Sequence, residues 1–364
     1  MKTLSAFFIS MCCLVSVHAQ NTITVLDHVL FYDGYKTLEN LTGTMEPVPD
    51  NVLRHSTSLY AVKFTENQLN SFGDEINMYV VINPACDNYD RLGHVFLSFV
   101  PKGQETYKPE EVMRIEVSRY ITPFMDKNKK PDHVPYVFDV SYLKDVFHDK
   151  ALRNKYDFWF ELNAFGVPYA ANKQIQGCEE RSDTFWGSLY FETFYPLKKT
   201  AKETFLLPLF TNAKFNNYNE NATDVLGKTV RTREFEIDKN LKSAKLVLIT
   251  SNHGANRGGE EYIRRMHYVT FNGDSVLTYK PGRVSCEPFR ERNTQNNGIY
   301  GKEVKTDERW QSFSNWCPGD VIDTRIIDLG SLKKGKHTFK IEVPEAEFKD
   351  SEGNFPLSLY LLGQ

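Results

Sequence analysis

Short runs of β-branched and aromatic residues recur along this chain, each ended by a turn signal, and that rhythm points to packed antiparallel sheets. Residues 78–82, 94–100 and 113–121 are β-rich, and the third run alternates apolar and polar side chains, as a strand with one buried face does. Residues 158–162 and 187–194 continue the series. In the second half 245–250 reads as a strand, and 267–271 and 275–279 flank Asn272-Gly273-Asp274, a strong hairpin signal. Residues 337–343 and 357–362 close the chain. Helical periodicity is scarce; 141–152 predicts one short helix with Ser141 as its N-cap. So many strands with turns between them imply all-β sandwiches rather than a parallel α/β sheet. A polar, proline-marked break at Pro196-Leu197-Lys198-Lys199-Thr200 separates 187–194 from the next run at 205–210. The expected organisation is therefore a domain over 20–196, a linker over 197–203 and a second sandwich over 204–364.

The first residues belong to neither. Lys2 supplies a positive charge, 4–17 is mostly apolar, and Val17-His18-Ala19 ends on a small residue, the pattern of a secretory signal cleaved after Ala19. The run is too short to span a bilayer, and no later stretch approaches that length. The expectation is a secreted or periplasmic monomer without a transmembrane anchor. Lipidation at Cys12 or Cys13 is disfavoured by the bulk of Met11. Four cysteines remain, Cys86, Cys178, Cys286 and Cys317, and an even number in an oxidising compartment implies two disulfides, with three connectivities open. There is no CxxC and no Cys/His ligand cluster, so no metal and no cofactor are expected. A formal charge of -3 without a basic block argues against a nucleic-acid surface. Aromatic residues make up 13% of the chain; most will be core, but exposed rings also suit the apolar faces of sugars.

Three ordered segments carry a more specific signal. The first is Cys86-Asp87-Asn88-Tyr89-Asp90-Arg91, followed by Ser118-Arg119-Tyr120-Ile121-Thr122-Pro123-Phe124. The second is Ser251-Asn252-His253-Gly254, then Arg257-Gly258-Gly259-Glu260-Glu261-Tyr262, running through Arg265 to His267. The third is Trp316-Cys317-Pro318-Gly319 with Thr324-Arg325-Ile326. In content, order and spacing they resemble the peptide-N-glycosidase F family over about residues 30 to 340. The resemblance implies two eight-stranded antiparallel jelly rolls side by side, with the active site where they meet. It implies metal-free hydrolysis of the amide joining the first GlcNAc of an N-glycan to asparagine, with glycoproteins or glycopeptides as partners.

Carried over by position, the resemblance makes Asp90, Glu161 and Glu261 the catalytic carboxylates. It makes Tyr89, Arg91, His253, Arg257, Arg265 and His267 substrate-binding. The chemistry suits these residue types. Amide hydrolysis needs an activated water, a place for the developing oxyanion and a proton for the departing nitrogen. Asp90 is the expected base, and a continuous strand from Glu261 to His267 would put Glu261, Arg265 and His267 on one face, with Glu260 and Arg264 on the other. Cys317 matches a family cysteine bonded to one upstream, for which Cys286 stands here, so a Cys286–Cys317 bridge is expected to close an Asn-rich loop over 291–305. A Cys86–Cys178 bridge would then pin 170–183 beside Asp90.

The chain departs from the family pattern at several points. Gly259 and Ile263 replace a cysteine pair around the second glutamate. Tyr89 replaces a tryptophan. Phe313 replaces an arginine that positions the reacting carbonyl. Three other readings stay open: a silent glycan-binding module on the same fold, a copper monooxygenase on paired jelly rolls, and a glycosidase cleaving within the glycan. The copper reading requires grouped histidines, and the nine present are scattered without a His-x-His.

Overall fold

The computed structural model describes residues 21–364 apart from 42, 44, 198–201, 219–223, 226, 255–258 and 349–351. The signal segment, Cys12, Cys13 and Arg257 thus lie outside the described residues, as does most of the expected linker. In chain order the strands of the first half are β1 (Asn21–Tyr32), β2 (Val52–Ser56), β3 (Leu59–Lys63), β4 (Glu75–Pro84), β5 (Leu92–Pro101), β6 (Met113–Ile121), β7 (Val134–Asp139), β8 (Tyr156–Ala164) and β9 (Asp183–Phe194). The second half supplies β10 (Phe205–Ala213), β11 (Val230–Ile237), β12 (Leu241–Thr250), β13 (His267–Phe271), β14 (Asp274–Tyr279), β15 (Val321–Ile322), β16 (Thr324–Leu332), β17 (Gly335–Glu342) and β18 (Leu357–Gly363).

These strands form two antiparallel sandwiches. One pairs a sheet of order β1-β9-β4-β7 with a sheet of order β15-β6-β5-β8-β3-β2; the other pairs β10-β18-β12-β16 with β11-β17-β13-β14. The second sandwich has the expected eight strands. The first has nine of its own and gains β15 from the second half, through Val321 opposite Tyr120 and Ile322 opposite Arg119. Alternation explains the cores: in β4 every second residue, Ile76, Met78, Val80 and Ile82, is fully buried, each such side chain contributing about 1.5–3 kcal/mol. Between β13 and β14 the turn passes through Asn272 and Gly273, at φ 54° and 91°, the left-handed pair that an Asn-Gly hairpin selects.

Two local expectations change. Residues 141–152 hold not one helix but a 3-10 turn at Ser141–Leu143, then helices Lys144–His148 and Lys150–Lys155. Ser141 caps neither; its Oγ accepts from the Ile76 N–H at 2.9 Å, and Asp149 caps the last helix.

The sandwiches meet on the outer face of β6. Val247, Tyr360 and Leu362 of the second sandwich join the first core, while Leu246, Leu248, Leu359 and Leu361 face their own. At the centre lies a buried polar network. Glu116 and Arg119, both fully buried, pair through two hydrogen bonds of 2.8 and 2.7 Å. Arg119 also donates to Ser251 Oγ at 2.8 Å and to the Pro356 carbonyl at 2.7 Å, and Ser358 donates to Glu116. His94 Nδ1 lies 2.8 Å from Glu116; since the carboxylate only accepts, that nitrogen carries the proton. The loop expected at 291–305 crosses the same junction, with Asn293 and Thr294 side chains accepting the Phe124 and Asp126 N–H groups at 3.0 and 2.9 Å.

Candidate active site

Asp90 sits on a short loop before β5 that other residues hold rigidly. The Cys86–Cys178 disulfide anchors its start. Asp87, 1% exposed, accepts the Tyr89 N–H at 2.9 Å and the Val167 N–H at 2.6 Å. It also takes both prongs of Arg91, at 2.7 and 3.3 Å. Thr122 brackets the loop, its hydroxyl accepting the Arg91 N–H at 2.7 Å and donating to the Tyr89 carbonyl at 3.2 Å. The backbone on both sides of Asp90 is therefore fixed, which preorganises its carboxylate.

Glu261 arrives from the second sandwich on a turn over residues 260–262. The Asn315 amide, buried, donates at 2.7 Å to the carbonyls of both Glu260 and Glu261 and at 3.1 Å to that of Ile263. The Glu261 carboxylate accepts the Gly254 N–H at 3.2 Å and a hydrogen bond from the Tyr262 hydroxyl.

The charge of Glu261 bears on Asp90. Burial first, and then the negative charge of Glu261, push the Asp90 pKa up to about 7, against the pull of Arg91. Burial also raises Glu261, opposed by Gly254 N–H and the Tyr262 hydroxyl and helped by Glu352. Tyr262 is raised by burial and by the charges of both Glu261 and Asp90. A carboxylate tuned to neutral pH next to a second one and a phenol can take a proton from water and return one to a leaving group. The Phe313 ring packs against Tyr262 at 5.6 Å, and so borders this group from the position where the family pattern has arginine.

The other expected residues are placed as follows. Tyr89 is 40% exposed, with the Arg91 guanidinium 5.4 Å over its ring. His253 Nε2 meets Ser251 Oγ at 2.8 Å and its ring stacks on Trp316 at 5.9 Å; burial, then the charge of Arg119, push its pKa down to about 3, so it stays neutral. The strand expected from Glu261 to His267 does not form, because β13 begins only at His267. Arg265 turns to Glu260 at 3.1 Å, and Glu260 is buried and accepts the Glu347 N–H at 2.7 Å. His267 is fully buried between Tyr279 and Phe355, with burial pushing its pKa down to about 3. The shared acid, cation and histidine face is therefore absent, since the chain turns where alternation required extension.

Glu161 is also not part of this group. Its ladder partner Phe96 in β5 lies six residues beyond Asp90 along the chain, a reach of at most about 20 Å. There its carboxylate accepts from Arg114 at 2.9 Å, from Tyr107 at 2.8 Å and from Ser98. Every oxygen is satisfied, as a buried charge requires. Tyr262, Gly254, Asn315 and Thr122 carry the site without having been singled out; all lie inside the quoted motifs or beside them, but only their contacts reveal a role. Among the described residues no group of three or more His, Cys, Asp or Glu side chains is placed to hold a metal.

Both disulfides, Cys86–Cys178 and Cys286–Cys317, are formed. Replacing Cys86 and Cys178 together by alanine is expected to cost roughly 4–5 kcal/mol in the chain-entropy view for a loop spanning 92 residues. Urea denaturation of the variant against the parent reads that loss, and an unchanged midpoint would contradict it.

Comparisons with known proteins place this geometry in context. The N-terminal model of peptide-N-glycosidase F matches residues 22–180 and the C-terminal model matches 217–362. Among solved structures, PNGF-II in space group P21 superposes with a TM-score of 0.66 at 20% identity; the match covers 95% of this chain, which spans 66% of that one. A peptide-N(4)-(N-acetyl-beta-D-glucosaminyl) asparagine amidase gives 0.60 at 14% identity, covering 95% and 96% of the two chains. PNGase F, described as a glycosylasparaginase from Flavobacterium meningosepticum, gives 0.59 at 13%, also covering 95% and 96%. At such identities the likeness is one of fold. No curated protein sequence matches the chain.

Proposed function

Because the chain belongs to the peptide-N-glycosidase F family, we propose that it hydrolyses the amide between the innermost GlcNAc of an N-glycan and asparagine, releasing the glycan as a glycosylamine and leaving aspartate. The observation that carries this reading is that Asp90, on a loop of the first sandwich, feels the charge of Glu261, which the second sandwich holds beside Tyr262. Asp90 takes a proton from the attacking water as its oxygen bonds to the amide carbon. The carbon–nitrogen bond then breaks, and the nitrogen leaves with a proton delivered from the Glu261–Tyr262 side. Arg91, spent largely on Asp87, lowers the Asp90 pKa and holds the loop. The two disulfides support export to an oxidising compartment, where the protein would act as a monomer on glycoproteins or glycopeptides.

Mass spectrometry of a digested glycopeptide tests the reading. Amidase action leaves aspartate in place of asparagine. A GlcNAc left on the peptide would mean a glycosidase, and an intact substrate a binding module. The pH dependence has a fixed sign: the base must be ionised, so kcat/KM rises as pH passes through about 7 and levels above it. A rate that instead declines across that range would rule out Asp90 as base.

A further inference from the structure

Exposed aromatic side chains scattered singly over a surface are ordinary. Those around Asp33 are not scattered. Tyr35 is 71% exposed and Tyr169 49% exposed, and Phe165, partly exposed, meets Tyr35 edge-on at 5.2 Å and 81°. One buried carboxylate organises two of them. Asp33, 2% exposed, accepts the Tyr35 N–H at 3.0 Å and is hydrogen-bonded to the Tyr169 hydroxyl. The turn is locked to the loop after β8 by the Gly34 N–H on the Gly166 carbonyl at 2.8 Å. Gly34 packs so closely on Phe165 that an added Cβ would lie 2.3 Å from the ring, so the ring is held in place.

This cluster continues directly into the carboxylate site. Val167 stands between Phe165 and Tyr169, and it is the residue whose N–H holds Asp87 and whose carbonyl takes the Arg91 guanidinium at 3.5 Å. Phe165 and Tyr169 are each two residues from Val167, at most about 7 Å along the backbone. All three rings are aromatic, and Tyr35 and Tyr169 add hydroxyl edges, which suits sugars, whose faces are apolar and whose rims are hydroxyls. Rings fixed before binding also lose little freedom on contact.

We propose that Tyr35, Phe165 and Tyr169 form a stacking platform for the sugars of the substrate glycan that lie outside the two innermost GlcNAc units. The inference rests on the amidase reading for its substrate. The test compares one peptide carrying only the two GlcNAc units with the same peptide carrying a full high-mannose glycan. Tyr35→Ala combined with Tyr169→Ala is expected to raise KM about tenfold for the full glycan and to leave kcat and KM for the short one unchanged. Tyr35→Phe, which keeps the ring, should retain the parental KM on both. An equal loss on both peptides, or no loss on either, would overturn the platform. Should the wild type cleave neither peptide, the amidase reading fails separately. Calorimetric titration with the free high-mannose oligosaccharide then decides the platform. Binding that the double variant abolishes supports it; absent binding, or binding the variant retains, overturns it.

Discussion

Asp90→Asn is expected to fold and to lose about two to four powers of ten in glycan release, the span that general-base catalysis supplies. The amide cannot accept the water's proton at neutral pH, while the loop that holds it is built from Asp87, Arg91 and Thr122 and does not depend on the Asp90 side chain. Stability should move the other way. The folded Asp90 pKa of about 7 lies above the ordinary aspartate value, so the folded state holds this proton more tightly than the unfolded chain. Its contribution therefore falls as pH rises from about 4 to 7. The asparagine carries no such dependence, so at pH 8 the variant should melt at or above the parent temperature. Parental turnover by the folded variant would remove Asp90 from the mechanism. Glu261→Gln is expected to slow the reaction in the same assay. Glu161→Gln is expected to keep the parental rate and lose stability instead, because it strips the charge from the Arg114 pair.

Arg119→Met is expected to cost about 3–5 kcal/mol, the loss typical when one partner of a buried ion pair is removed. It leaves Glu116 charged and fully buried between the sandwiches. Urea unfolding measures the effect, and a loss below about 1 kcal/mol would mean that the pair is not the anchor of this junction. Combining Arg119→Met with Glu116→Leu should cost less than the two single changes summed, because no charge is then stranded. The pH dependence follows from Glu116. Burial opposes its ionisation, but Arg119 and His94 together, through charge and hydrogen bonds, outweigh burial and hold its carboxyl well below the usual range. Its stabilisation is thus present above the ordinary glutamate pKa and is lost as pH falls toward the depressed folded value. His94, pushed below its usual pKa by burial, remains a neutral donor at physiological pH.

The strands were legible in the residues because alternation and turn chemistry are local. The 113–121 run and the hairpin about Asn272-Gly273 appear as β6 and as β13 and β14, since each depends on neighbours a few positions away. The motif order likewise pointed to Asp90 and Glu261 and to a Cys286–Cys317 bridge. Sequence alone could not say which charged groups share a site. Glu161 and Glu261 are both glutamates in matched segments, yet one is saturated by Arg114, Tyr107 and Ser98 and the charge of the other bears on Asp90. Arg265 pairs with Glu260 only because the chain turns at 260–262, a turn held by Asn315 more than fifty residues later. Arg119 reads as one arginine within a strand, and its worth comes from Ser251 and Pro356 across the junction. A carboxylate's pKa and partner depend on burial and on charges within a few ångströms, and here those neighbours come from the other sandwich. The residues thus determined the elements and nominated the chemistry, while the packing of one sandwich on the other decided which carboxylates can perform it.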